Sequence, residues 1–180
     1  WRAGADATPG LARRRASGQR CGMSVPNLGA EGIGVVRPIG FLSTPFKTRA
    51  ACPRNTRALN PAPRCEAAVF DAFAPGLRSL DGFSHLILLY WLHEAEPPAL
   101  VFTPPFDDTP RGVFATRAPA RPNPIGLAVV AFEGFAAPNR LAVRYLDCID
   151  GTPLLDIKPY LRTTDAEPAA TLGWLAPRAS

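Results

Sequence analysis

Hydrophobic positions along the chain fall into short runs separated by proline, glycine and small polar residues, and few of the runs carry a helical period. Leu86-Ile87-Leu88-Leu89-Tyr90-Trp91-Leu92 is a continuous apolar run of seven residues, the pattern of a core strand buried on both faces. Leu141-Ala142-Val143-Arg144-Tyr145-Leu146 alternates and predicts a strand with one face inward. Further strands are predicted over Gly32–Leu42, with Pro38 at an edge, kink or bulge, over Cys65–Phe73, from Ile125 to Phe135, and over Leu154–Leu161. A turn at Ala137-Pro138-Asn139 and a short helix over Pro75–Leu80 complete the set. Between the apolar runs Gly112–Ala115 and Ile125–Val130, Pro119, Pro122 and Pro124 remove N–H donors and fix φ, which excludes a regular helix. Residues 116–124 therefore read as a stiff loop held at its ends by two buried strands. Strands at short spacing with scarcely a helical pattern between them predict an all-β or β-dominated fold, a single small β-barrel with short helices. The barrel is expected over residues 32–161, after a poorly ordered leader at 1–31 and before a loose tail at 162–180 in which Trp174 is a candidate dimer contact.

Length and composition narrow this picture. At 180 residues the chain suits one domain with one core. A longest apolar run of seven residues cannot span a bilayer, which needs about 20 in a helix, so no membrane partner is expected. The net charge is +5, but three of those charges lie in the first 32 residues, where five arginines face Asp6 and Glu31. The body is only mildly basic, and an argument for nucleic acid must rest on local clusters. Four cysteines show no C-x-x-C and no companion histidine spacing, so no metal is expected, and reduced thiols in a cytoplasmic protein are the simpler reading. Met23, the one methionine, is either a natural start or part of an arm; the Arg-rich leader also has the composition of a transit peptide.

Three clusters carry candidate chemistry. Thr109 to Phe132 holds Arg111, Arg117 and Arg121 and not one acidic residue, so an anion is expected there. Ser43 to Pro63 is also basic, with Lys47, Arg49, Arg54 and Arg57, and reads either as a solvated loop or as a second anion-facing segment. His93-Glu94 follows the core strand, as a surface pair or as working side chains. Asp147-Cys148-Ile149-Asp150-Gly151-Thr152-Pro153 contains a turn signal, in which Asp150 either bonds local backbone or faces a positive centre. Gly32-Ile33-Gly34 precedes a β-branched run and Pro38, which excludes a dinucleotide fingerprint. The sequence lacks G-x-S-x-G, H-E-x-x-H and a P-loop. The remaining set suits a zwitterion, with guanidinium groups on a carboxylate or phosphate, backbone groups of the turn on a nucleobase, and a carboxylate near positive charge.

The ordered set Pro38–Lys47 (PIGFLSTPFK), Pro53-Arg54-Asn55, Asp81–Leu86 (DGFSHL), His93-Glu94, Gly112–Leu127 (GVFATRAPARPNPIGL) and Leu146–Leu161 (LDCIDGTPLLDIKPYL) resembles the TsaA-like, or TrmO-like, family. These are S-adenosylmethionine-dependent tRNA methyltransferases. The resemblance spans residues 33–161 and implies a small non-Rossmann β-barrel working as a homodimer. It implies methylation of N6 of threonylcarbamoyladenosine at position 37, in the tRNA anticodon loop. It places Pro53, Arg54, Asn55, Thr56, His93, Glu94, Arg117, Leu127, Ile149, Asp150, Gly151 and Thr152 around S-adenosylmethionine. Asp150, Glu94 and His93 become candidate bases, and Arg111, Arg121, Asn123, Lys47 and Arg57 candidate substrate contacts. Family members often have Gln at the positions of Asn55 and Glu94, and longer members carry a C-terminal domain with no match in these residues. A small-molecule or protein acceptor, or a non-catalytic RNA-binding barrel, stands as the alternative.

Overall fold

The computed structural model describes residues 35–178. The leader expected over residues 1–31, and the first residues of the strand expected from Gly32, lie outside them. Six strands close a barrel: β1 (Gly40–Ser43), β2 (Arg64–Val69), β3 (His85–Trp91), β6 (Ile125–Ala137), β7 (Arg140–Arg144) and β8 (Thr152–Pro159). Around the barrel the order is β1-β2-β7-β6-β3-β8, every pairing antiparallel, and β4 (Val101–Phe102) pairs with β5 (Arg111–Gly112) as a separate ribbon. Among the described residues no helix is long and apolar enough to cross a membrane.

The interior is built by alternation. In β3, Leu86, Leu88 and Tyr90 are buried while the intervening residues are only half-buried, so the apolar run covers the core with one face and part of the outer wall with the other. Leu42, Ala67, Val130, Leu141, Val143 and Leu154 meet them inside. A register shift sets Tyr90 opposite Leu154 and Leu88 opposite Ile157, so one extra residue of β8 is absorbed and both residues still face the core. The chain comes close at β1, where a Cβ on Gly40 would overlap the carbonyl oxygen of Ala68.

Several expected boundaries move. The first strand begins at Gly40, because Pro38 cannot donate to a ladder; only Ile39 extends the pairing, through its N–H to Leu154 O at 2.8 Å. The strand expected to reach Phe73 stops at Val69, and residues Asp71–Leu77, with Pro75 inside, form a 3-10 helix earlier than the helix expected from Pro75. Of the run Gly112–Ala115 only Gly112 is in a strand, as the end of β5. After β5 the chain enters a 3-10 turn, Val113–Ala115, in which Val113 alone is buried. The tail holds a short helix α1 (Arg162–Asp165) and a 3-10 helix, Gly173–Arg178. Trp174, expected only as a candidate dimer contact, packs within the chain, its indole N–H donating to Ala115 O at 2.8 Å and its ring stacking on Phe106.

One feature of the barrel positions the site. β6 pairs with β3 over Ile125–Ala131, but with β7 only from Ala131 onward, so residues 125–130 present an edge that β7 does not cover.

Replacing Gly40 by alanine is expected to lower stability by about 1–3 kcal/mol, the usual cost of forced overpacking. Gly112→Ala, where a Cβ meets nothing within 4 Å, is the control. Thermal unfolding should separate them, with Gly112→Ala close to the parent.

Candidate functional site

Backbone groups of an antiparallel strand point alternately to its two neighbours. Leu92 N–H donates to Pro124 O and Phe132 N–H to Ser84 O, both at 2.8 Å, which turns the even-numbered groups of β6 toward β3. The odd-numbered groups of Leu127 and Val129 therefore face the uncovered edge. Two arginines bond there. Arg117 Nη2 donates to Leu127 O at 3.1 Å, and Arg57 Nη2 donates to Val129 O at 2.7 Å. A carbonyl away from its ladder needs a donor, and a guanidinium supplies one with others to spare.

Each arginine is delivered by local structure. Asn55 Oδ1 accepts from Arg57 N–H and caps the 3-10 turn Thr56–Ala58, whose Thr56 is buried. The Arg57 guanidinium also lies 4.6 Å above the Tyr145 ring. Tyr145 adopts φ 71°, a left-handed conformation uncommon for an aromatic residue, as the chain leaves β7. On the other loop Arg121 Nη1 donates to Thr116 O at 3.3 Å, folding the proline-rich segment onto itself.

A second wall is the turn between β7 and β8. Asp150 ties it to the end of β1: its Oδ1 accepts from Ser43 Oγ at 3.1 Å and Thr44 N–H at 3.0 Å, and its Oδ2 from Lys47 Nζ at 2.7 Å. Thr44 Oγ1 donates to Cys148 O at 2.9 Å and Gly151 N–H to Leu42 O at 2.9 Å, closing the same joint. The Lys47 bond and the Thr44 amide hold the Asp150 carboxyl below its ordinary range. Asp147, by contrast, lines the cleft and accepts from Tyr90 Oη at 3.0 Å. Burial, reinforced by the Asp147 charge, pushes the Tyr90 hydroxyl far up, so it remains a donor. Gly126 crosses the face of that ring, where a Cβ would overlap Tyr90. Burial also pushes the Cys52 and Cys148 thiols up, keeping both neutral at the cleft wall.

Between these walls lies a cleft of about 1370 Å³. Of the residues expected at the site, Pro53, Arg54, Asn55, Thr56, Arg57, His93, Glu94, Arg117, Arg121, Asn123, Leu127, Ile149 and Thr152 line it. Asp150, Gly151, Lys47 and Arg111 do not. Asp150 and Lys47 hold each other, and Arg111 donates to Asp107 through Nε at 3.1 Å and Nη2 at 2.8 Å. The turn reaches the cleft through Asp147, Ile149 and Thr152. Sequence reasoning missed Tyr90, Asp147 and Tyr145. The available signal for Asp147 was a second carboxylate just ahead of the Asp-Gly pair; for Tyr145 it was a polar-tipped ring at a strand's end.

Comparison with known proteins adds relatives to this geometry. The family described as the tRNA-methyltransferase O N-terminal domain matches residues 41–166. The S-adenosyl-L-methionine-binding protein of Archaeoglobus fulgidus is 44% identical over 126 residues, covering 70% of this chain and 88% of its own length. A probable S-adenosyl-L-methionine-binding protein of Pyrococcus abyssi is 43% identical over 139 residues, 77% of this chain and 74% of its own. The crystal structure of TrmO from Pseudomonas aeruginosa superposes with a TM-score of 0.65 at 38% identity, over 79% of this chain. This chain spans 62% of that solved one.

Asp150→Asn is expected to cost on the order of 1 kcal/mol at pH 7 through weakened bonds at the joint. Because the folded carboxyl is held low, its contribution is complete above the ordinary aspartate value of about 3.9 and fades as pH falls through the lower folded value. Denaturant unfolding across that acid range should show parent and variant converging.

Proposed function

We propose, from the premise that this chain belongs to the tRNA-methyltransferase O N-terminal domain family, that it is an S-adenosylmethionine-dependent methyltransferase acting on N6 of threonylcarbamoyladenosine at position 37, in the tRNA anticodon loop. The observation that carries the reading is the uncovered half of β6, with two guanidiniums on its carbonyls, lining one cleft together with the Asp147 carboxylate.

The residues fit the group. S-adenosylmethionine is a zwitterion with a carboxylate, an ammonium, a sulfonium and an adenine, and when bound it supplies an electrophilic methyl. Arg54 lines the cleft with no hydrogen bond or ion pair among the described residues, which suits it to the carboxylate. Asp147, oriented by Tyr90, offers negative charge toward the positive end. The amides of Leu127 and Val129 on the open edge suit the rim of a purine. A cleft of about 1370 Å³ exceeds the roughly 300–1,000 Å³ of an ordinary small-molecule site, leaving room for an acceptor base beside the donor.

Methyl transfer needs an in-line approach, and positioning supplies much of the acceleration. N6 of the modified adenosine is a urea-type nitrogen that attacks well only once its proton is removed. Of the candidate bases, His93 and Glu94 line the cleft with exposed side chains, so the proton falls to this pair, while Asp150 fixes the turn. Arg121 and Asn123 at the rim suit phosphate and base contacts of the loop. The resemblance also carries a cytoplasmic homodimer.

Titration calorimetry and mass spectrometry test this together. Arg117→Ala is expected to weaken S-adenosylmethionine binding about tenfold or more with little change in Tm, since the side chain is exposed. Unchanged binding would remove Arg117 from the site. Transfer to N6 of threonylcarbamoyladenosine in tRNA is the expected product; donor binding without that product would redirect the acceptor to a small molecule or protein, and RNA binding without donor binding would make the barrel non-catalytic.

A further inference from the structure

The cleft carries an aromatic face that donor binding leaves unused. Phe114 lines the cleft and is 76% exposed, yet its neighbour Val113 is 1% exposed. Large apolar rings so exposed usually sit on mobile loops, but this one projects from a turn held on several sides. Val113 N–H donates to Leu100 O at 2.9 Å, and Thr116 donates to Val113 O through N–H at 3.1 Å and Oγ1 at 2.8 Å. Trp174 closes the turn from the tail, its Nε1–H donating to Ala115 O at 2.8 Å.

Trp174 is itself fixed. Its ring stacks on Phe106 with centroids 6.2 Å apart and planes 7° apart, and the Arg111 guanidinium lies 4.6 Å from its centroid. The family match ends at residue 166, so the clamp is added by a segment of this chain beyond that match. The consequence is a preorganised ring beside a cationic cleft: Arg49, Arg54, Arg57, Arg117 and Arg121 line it against Glu94 and Asp147. Positive charge around a flat apolar ring suits single-stranded RNA, whose phosphates seek the charge and whose unstacked bases seek an aromatic face.

We infer that Phe114, clamped by Trp174 through Ala115, is the platform on which the acceptor's base, an unpaired purine of an RNA loop, stacks. This rests on the RNA reading of the acceptor but not on the donor site, because Phe114 is not among the residues assigned to S-adenosylmethionine. Stacking is sequence-tolerant and needs only a planar ring on the protein side. A merely greasy contact would accept any large aliphatic side chain.

The test uses the full chain and an anticodon-loop RNA hairpin carrying 2-aminopurine at the acceptor position, whose fluorescence falls when the base stacks. Quenching is expected with the parent protein and with Phe114→Trp, and is expected to be lost in Phe114→Ala and Phe114→Leu. Loss of a base stack corresponds to about a tenfold weaker hairpin affinity, with S-adenosylmethionine affinity and Tm unchanged. Trp174→Ala should weaken quenching while leaving the donor titration intact. Quenching by Phe114→Ala equal to the parent, or restored by leucine as well as by tryptophan, would overturn the platform while leaving the methyltransferase reading in place. A parent protein that binds S-adenosylmethionine but not the hairpin would overturn both the RNA acceptor and the platform.

Discussion

Two guanidinium groups donating to alternate carbonyls on one half-paired strand are the constraint on which the site depends. β6 has β3 on one side throughout its first half, but β7 joins it only from Ala131, so Leu127 O and Val129 O would otherwise lack strand partners. Both bonds lie at solvent-exposed positions where water competes for the carbonyls, so what they fix is the placement of the guanidiniums more than the stability of the barrel. Arg57 comes from a capped 3-10 turn near the start of the barrel and Arg117 from the proline-stiffened loop before β6, so satisfying one edge draws two distant loops to one place. Each guanidinium has five N–H donors, and these bonds use few of them. The same side chains can finish the fold and still present charge to a ligand.

The turn between β7 and β8 divides two carboxylates between two tasks. Asp150 accepts from Ser43, Thr44 and Lys47 and locks the turn onto the end of β1. That lock leaves Asp147 toward the cleft, where the Tyr90 hydroxyl, kept protonated by burial, fixes its orientation. Gly126 contributes by absence, since any side chain there would displace the Tyr90 ring. A site for a zwitterion needs both signs of charge close together without collapse into an ion pair. Here Arg57 and Arg117 spend bonds on strand carbonyls and Asp147 on a phenol, so both signs of charge line one cleft with bonds to other partners.

Much of this was legible in the sequence, for identifiable reasons. The apolar run at Leu86–Trp91 reads correctly as a core strand, though it buries only one face fully because a barrel imposes a period of two on its interior; in β7 Leu141, Ala142 and Val143 are all buried, so the alternation expected there is not kept. The acid-free stretch around Arg117 flagged the cationic wall because charge is local in sequence. What was not legible depends on partners far apart in the chain. Gly112–Ala115 is as apolar as a strand, but a two-residue ribbon and one buried valine hold it instead. Asp150 carries the stronger turn signal, and that signal marks a structural joint; its partners lie more than 100 positions away. Trp174 reads as a loose tail residue until Phe106 and Ala115 are seen beside it.

The central claim is that the uncovered edge of β6 is where the methyl donor docks, and amide NMR during an S-adenosylmethionine titration tests it most directly. The amides of Leu127 and Val129, which face the cleft, should shift and gain protection from exchange, while those of Gly126 and Ala128, turned toward β3, change far less. Shifts that instead gather on the separate hollow around Phe41, Phe70 and Arg140, with Leu127 and Val129 silent, would contradict the account.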